Sequence, residues 1–160
     1  MRARPVASRV LCVALATVLS WSVPAWASDG DQPSVTTTST RETGVGVFFT
    51  AGDRVHISST PPITASAHGW WIDPDGGSAK AKVTVELQVE KSGGGWRTVA
   101  TGSKTVKQGG GSSRRANARK TCVGGAQTKW RSRVDVDIIG EADTPEKLVT
   151  PTQVLACGAG

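Results

Sequence analysis

The chain has no tyrosine, two phenylalanines and one methionine. A core of stacked aromatic rings is therefore excluded, and the interior must rest on Val, Ile, Leu and Ala with a few tryptophans. After residue 27 no apolar run approaches the roughly 20 residues that a membrane-crossing helix needs, so no membrane span is expected. Catalytic signatures are also missing: there is no G-x-S-x-G elbow, no H-E-x-x-H or H-x-H pair and no C-x-x-C. Nothing signals a serine hydrolase of the nucleophile-elbow kind, a zincin or a dithiol redox centre, and no enzyme is expected.

What is present first is an export signal. Arg2, Arg4 and Arg9 form a positive n-region, Val10 to Leu19 an apolar h-region, and Ala25-Trp26-Ala27 a cleavage site ahead of Ser28. Cys12 lacks the small residues that precede a lipidated cysteine, so no lipid anchor is expected and the product should be secreted and extracellular. Removing residues 1–27 takes away three arginines and no acid, so the net charge falls from +6 to +3. That is mildly basic, well short of the footprint of a dedicated nucleic-acid binder.

Residues 28–43 are Ser/Thr-rich and without apolar period, which reads as a flexible leader before a single domain over 44–160. From there short alternating runs follow one another between Gly, Pro, Asp and Ser clusters. Val45, Val47 and Phe49 alternate, and a turn is expected at 51–53 before Val55 and Ile57. Ile63, Ala65 and Ala67 face one way while Thr64, Ser66 and His68 face the other, and a further turn follows at Asp73-Pro74-Asp75-Gly76.

The clearest strand covers 82–90, with every odd position apolar and every even one polar. A glycine turn leads to the returning arm 96–100, and residues 102–113 read as a mobile loop. Ala116, Ala118 and Cys122 keep an even phase, and Trp130, Ser132, Val134, Val136 and Ile138 make a second strong inward row. Residues 140–151 read as a polar connection and 152–157 as the last strand. Seven or eight short strands without a helix period predict an all-β fold: a single antiparallel β-sandwich, immunoglobulin-like, with one disulfide.

Two cysteines survive processing, Cys122 and Cys157, and a pair in an exported chain is expected to be bonded. The segment VTVELQVEKSGGGWRTVA, then Cys122, then TKWRSRVDVDIIG, then Cys157 resembles small exported actinomycete proteins with an immunoglobulin-like or fibronectin-like sandwich and no assigned role. The resemblance covers about residues 80–158. It implies an exported sandwich with a Cys122–Cys157 bridge and no catalytic residues. Immunoglobulin domains more often join an early strand to a late one, and two late cysteines depart from that pattern.

Candidate sites are few. Asp73-Pro74-Asp75-Gly76 lacks the later carboxylates of a calcium loop and reads as a β-turn. His56 and His68 have no metal-ligand spacing, so no metal and no cofactor is assigned; a zinc site of both with an Asp requires convergence in three dimensions. Asp53, Asp73, Asp75, Glu86, Glu90, Asp135 and Asp137 mostly fall on outward phases, suited to solvation and cross-strand pairing.

Residues 104–133 carry nine cations and no acid, among them Arg114, Arg115, Arg119, Arg131 and Arg133. One basic face is expected, suited to an extracellular anionic partner such as a cell-wall polymer, a polysaccharide or an acidic protein. The alternative is a carbohydrate-binding module: adjacent strand residues point to opposite faces, so one of Trp70 and Trp71 should emerge and stack on a sugar. The bridge supplies the first test. Reducing it opens a loop of about 35 residues and should lower stability by about 3 to 4 kcal/mol, read as a fall in the denaturant midpoint; an unchanged midpoint would show that the pair contributes nothing.

Overall fold

A computed structural model describes residues 34–40, 47–58, 60–142 and 146–160. The chain divides into two units, Met1–Gly30 and Asp31–Gly160, and every described residue falls in the second. The export signal at 1–27, and residues 28–33 and 41–43 of the leader, lie outside the described residues.

The two strongest alternations make the centre of one sheet. β5 (Lys80–Glu90) and β8 (Gln127–Ile138) pair antiparallel, opposing Val83 to Val136, Val85 to Val134, Leu87 to Ser132 and Val89 to Trp130. All eight side chains are buried, so one face of this pair is continuous core. β6 (Trp96–Lys107) lies along the far flank of β5, while β9 (Leu148–Val149) and β10 (Gln153–Ala156) share the far flank of β8.

The second sheet is arranged around β4 (Thr64–Ile72). β2 (Val47–Asp53) and β3 (His56–Ser58) pair with successive parts of β4, β7 (Ala116–Thr121) also pairs with β4, and β1 (Ser34–Thr40) pairs with β2. Both sheets are five-stranded and every pairing is antiparallel. Among the described residues there is no α-helix, only a 3₁₀ turn at Ser112–Arg114. The fold is thus all-β, with two antiparallel sheets enclosing one core.

Inward residues of the two sheets meet closely. Gly52 and Gly69 sit opposite each other on β2 and β4, and a Cβ at Gly69 would lie 2.6 Å from Val134 Cγ1 and 2.8 Å from Val85 Cγ2. A Cβ at Gly52 would lie 2.9 Å from Val134 Cγ2. The buried indoles of Trp71 and Trp130 are satisfied in place, Nε1 donating to the Val106 carbonyl at 3.3 Å and to the Cys157 carbonyl at 3.0 Å respectively. The Cys122–Cys157 disulfide is formed and ties the end of β7 in one sheet to the end of β10 in the other.

Several local expectations change. The polar leader contributes β1, which extends the sheet back to Ser34, ten residues before the expected boundary at 44. Residues 51–53 are not a turn but the end of β2, and the chain bends after them; Phe48, not Val47 or Phe49, points into the core. The expected loop 102–113 is strand as far as Lys107, because β6 needs only Val106 as an inward anchor at that end and its other side chains face water. Leu148 is buried within the expected connection, where β9 adds two residues to the β8 flank.

The glycine pair predicts a specific sensitivity. Gly69→Ala should cost about 1 to 3 kcal/mol by overpacking against Val134 and Val85. The double variant Gly69→Ala/Val134→Ala should recover part of that loss in chemical denaturation. Additive losses would mean that the two positions do not share one space.

Candidate functional site

Register places a polar row on the outer side of the β4 sheet. Ala65, Ala67, Gly69 and Trp71 of β4 point inward, so Thr64, Ser66, His68 and Trp70 point outward. Their cross-strand partners share that face: His56 and Ser58 on β3, and Asn117 and Arg119 on β7. Arg115 precedes β7 on the same side, over Trp70.

Asp53 is the anchor of this face, only 4% exposed. Its Oδ1 accepts the backbone N–H of His68 at 2.5 Å and its Oδ2 the ring Nδ1–H at 2.7 Å. The His56 Nδ1 donates to the Arg54 carbonyl at 3.1 Å. The two imidazoles stack with centroids 5.6 Å apart and planes 20° apart. One donor atom from each of Asp53, His56 and His68 falls within 4.8 Å of the others.

This convergence is absent from the linear pattern. The outward phase of His68 is legible; the place of Asp53 is not, because 51–53 reads as a turn. Among the described residues no hydroxyl is hydrogen-bonded to either Nε2. The arrangement therefore presents imidazole lone pairs rather than an activated serine. The segment Asp73–Gly76 is a turn, with Gly76 N–H on the Asp73 carbonyl and Asp75 N–H on the Asp73 carboxylate.

The basic segment does not make one face. Arg131 and Arg133 lie on β8, on the outside of the other sheet, where cross-strand acids and amides take them up. Arg133 pairs with Glu86 at 2.9 Å, and Lys129 with Glu90 at 2.9 Å. Arg131 donates to Gln88 Oε1 at 2.9 Å and lies 4.2 Å over the Trp96 ring. Burial, and then the charge of Arg133, lower the Arg131 guanidinium from its ordinary value; it stays cationic at physiological pH.

Arg114, Arg115 and Arg119 differ. Arg114 donates to the Gln108 carbonyl, Arg115 to the Gly110 carbonyl, and Arg119 to the hydroxyls of Ser58 and Thr64. Among the described residues none of the three has a carboxylate partner.

Neither tryptophan emerges, which corrects the expectation of an exposed stacking ring. Trp71 is 0% and Trp70 6% exposed. Trp70 does point outward, but the 108–115 segment covers it. Gly109 N–H bonds to the Trp71 carbonyl at 2.8 Å, Gly110 lies against the Trp70 Nε1 edge, and Arg115 sits 4.5 Å over the ring.

No protein-family model matches this chain, no curated protein matches it, and no solved structure matches it.

Glu86 carries a pH prediction. Burial pushes its carboxyl up, but the hydrogen bond and charge of Arg133, the Thr98 hydroxyl and the charge of Lys147 outweigh burial and hold it below the ordinary 4.5. A carboxyl lowered in the folded state stabilises above its unfolded value, and that contribution is lost as pH falls through the folded one. Glu86→Gln should therefore cost about 0.5 to 1 kcal/mol near pH 7 and show a smaller further loss than the parent on acidification below 4.5. Parallel pH profiles for the two proteins would refute this assignment.

Proposed function

We propose that this chain is an exported, non-catalytic module of immunoglobulin-like sandwich type that holds an anionic extracellular partner on the outer side of its β4 sheet. The export signal and the resemblance to exported actinomycete proteins support the address. The disulfide is at home in an oxidising compartment. The observation that carries the binding reading is the unequal pairing of the basic segment. Lys129 and Arg133 are matched by acids on β5, whereas among the described residues Arg114, Arg115 and Arg119 meet carbonyls, hydroxyls and the Trp70 ring but no carboxylate. Guanidinium groups held in place without a counter-ion attract carboxylate, sulfate or phosphate groups.

The partner this suits is an anionic cell-wall polymer or acidic polysaccharide, whose repeated charges engage several arginines at once. An acidic protein is the other occupant that a binding screen separates. A tryptophan platform is not part of this reading, because both indoles are covered.

Retention of the purified chain on heparin and on polymeric cell-wall preparations, at low and high salt, tests it. Arg114→Ala/Arg119→Ala is the informative variant, since both side chains are exposed and Arg115 is kept to cover Trp70. At about 1 kcal/mol per charge near an anionic surface, it should weaken low-salt binding roughly tenfold to thirtyfold. Arg131→Ala/Arg133→Ala should leave binding within about twofold. Salt-insensitive retention, or equal losses in the two variants, would overturn the reading.

A further inference from the structure

We infer that Asp53, His56 and His68 form a binding site for a divalent transition cation of the zinc class. The inference stands on side-chain geometry and is independent of the anion-binding reading.

The first argument is tautomeric. A backbone carbonyl only accepts, so the His56 Nδ1 that contacts the Arg54 carbonyl carries the proton, and Nε2 of the neutral ring holds a free lone pair. An ionised Asp53 only accepts, so the His68 Nδ1 also carries a proton, and in the neutral ring its Nε2 is the free lone pair. Among the described residues neither Nε2 has a hydrogen-bond partner. Two imidazoles are thus fixed in the tautomer a metal requires, each by the backbone-carbonyl or carboxylate partner that orients metal-binding histidines.

The second argument is position. The rings are neighbours, 5.6 Å apart and nearly parallel, and the donor atoms of the three residues lie within 4.8 Å. Zinc–nitrogen bonds of about 2.0 to 2.1 Å place tetrahedral donors roughly 3.3 Å apart, so binding through the two Nε2 atoms draws the rings together. Small concerted changes of χ1 and χ2 move each Nε2 while its Nδ1–H stays on its partner. The His68 side chain is 30% exposed, which leaves an entry path and room for water or an outside ligand to complete the coordination.

The third argument is selectivity. One buried carboxylate and two imidazoles suit zinc, copper or nickel, whereas calcium and magnesium need several oxygen donors. Both Asp53 oxygens are engaged by His68, so Asp53 acts first as the group that orients this ring.

Zinc titration of the untagged, purified chain by calorimetry should give one site per chain, undiminished by millimolar Mg²⁺ or Ca²⁺. His56→Ala and His68→Ala should each weaken zinc binding at least tenfold, and Asp53→Asn about 10- to 100-fold as the orienting partner of a ligand. His56 belongs to a three-residue strand, so His56→Ala keeps the test decisive even where Asp53→Asn destabilises the sheet. With Cu²⁺, electron paramagnetic resonance should report coupling to imidazole nitrogen that His56→Ala reduces. No zinc binding by the parent, or equal binding by the parent and a folded His56→Ala, would overturn the site and leave the Asp53–His68 contact as a structural hydrogen bond.

Discussion

The structure depends on the seat that Gly52 and Gly69 make for Val134. Two residues without side chains, opposed on neighbouring strands, let a β8 valine approach the backbone of the other sheet. Packing at this distance leaves no freedom of register, because a slip of one residue would place Asp53 and His68 under Val134 and Val85. Each is the chain neighbour, on β2 and β4 respectively, of one of those glycines, so the same constraint that closes the core turns both outward. The carboxylate and the imidazole meet because the layer beneath them admits no side chain.

The sandwich is also closed along one side. Gly102 of β6 lies against the Asn117 carbonyl of β7, so strands from different sheets run close together there. The connection between them, residues 108–115, folds back over β4. Arg115 gains a stacking contact with Trp70, and the ring loses its access to solvent. A cation laid on an indole both covers apolar surface and keeps its charge at the rim, where it stays available to an anion. One loop thus removes a sugar platform and presents a guanidinium.

Legibility in the sequence follows the strength of the alternation. β5 and β8 are readable residue by residue because each has one buried and one wet face, and the Cys122–Cys157 pair is readable because few alternatives exist. The β4 sheet is harder. Phe48 and Phe49 are adjacent and equally apolar, so the phase of β2 is ambiguous, and Gly52-Asp53 has the composition of a turn while lying in a strand. β1 is a strand of Ser and Thr with the single valine Val35, visible only through its pairing with β2. The Asp53–His56–His68 cluster inherits all of this, since its members come from three strands and one of them, Asp53, sits where the composition is that of a turn. The basic segment misleads differently. Adjacency in sequence suggests one face, whereas β7 and β8 belong to opposite sheets.

The two outer faces therefore differ in kind. On the β5–β8 sheet, Glu86, Glu90 and Asp135 stand beside Arg133, Lys129 and Lys147, and the field of each cation is spent within one strand spacing. On the β4 sheet the one carboxylate of the cluster is buried and committed to His68, so it neutralises nothing at the rim. Surface pairs contribute little to stability, and a face lacking them loses little by it. Among the described residues, the β4 face keeps arginines without a carboxylate partner and two imidazole Nε2 atoms without a hydrogen-bond partner, and the proposed binding rests on these.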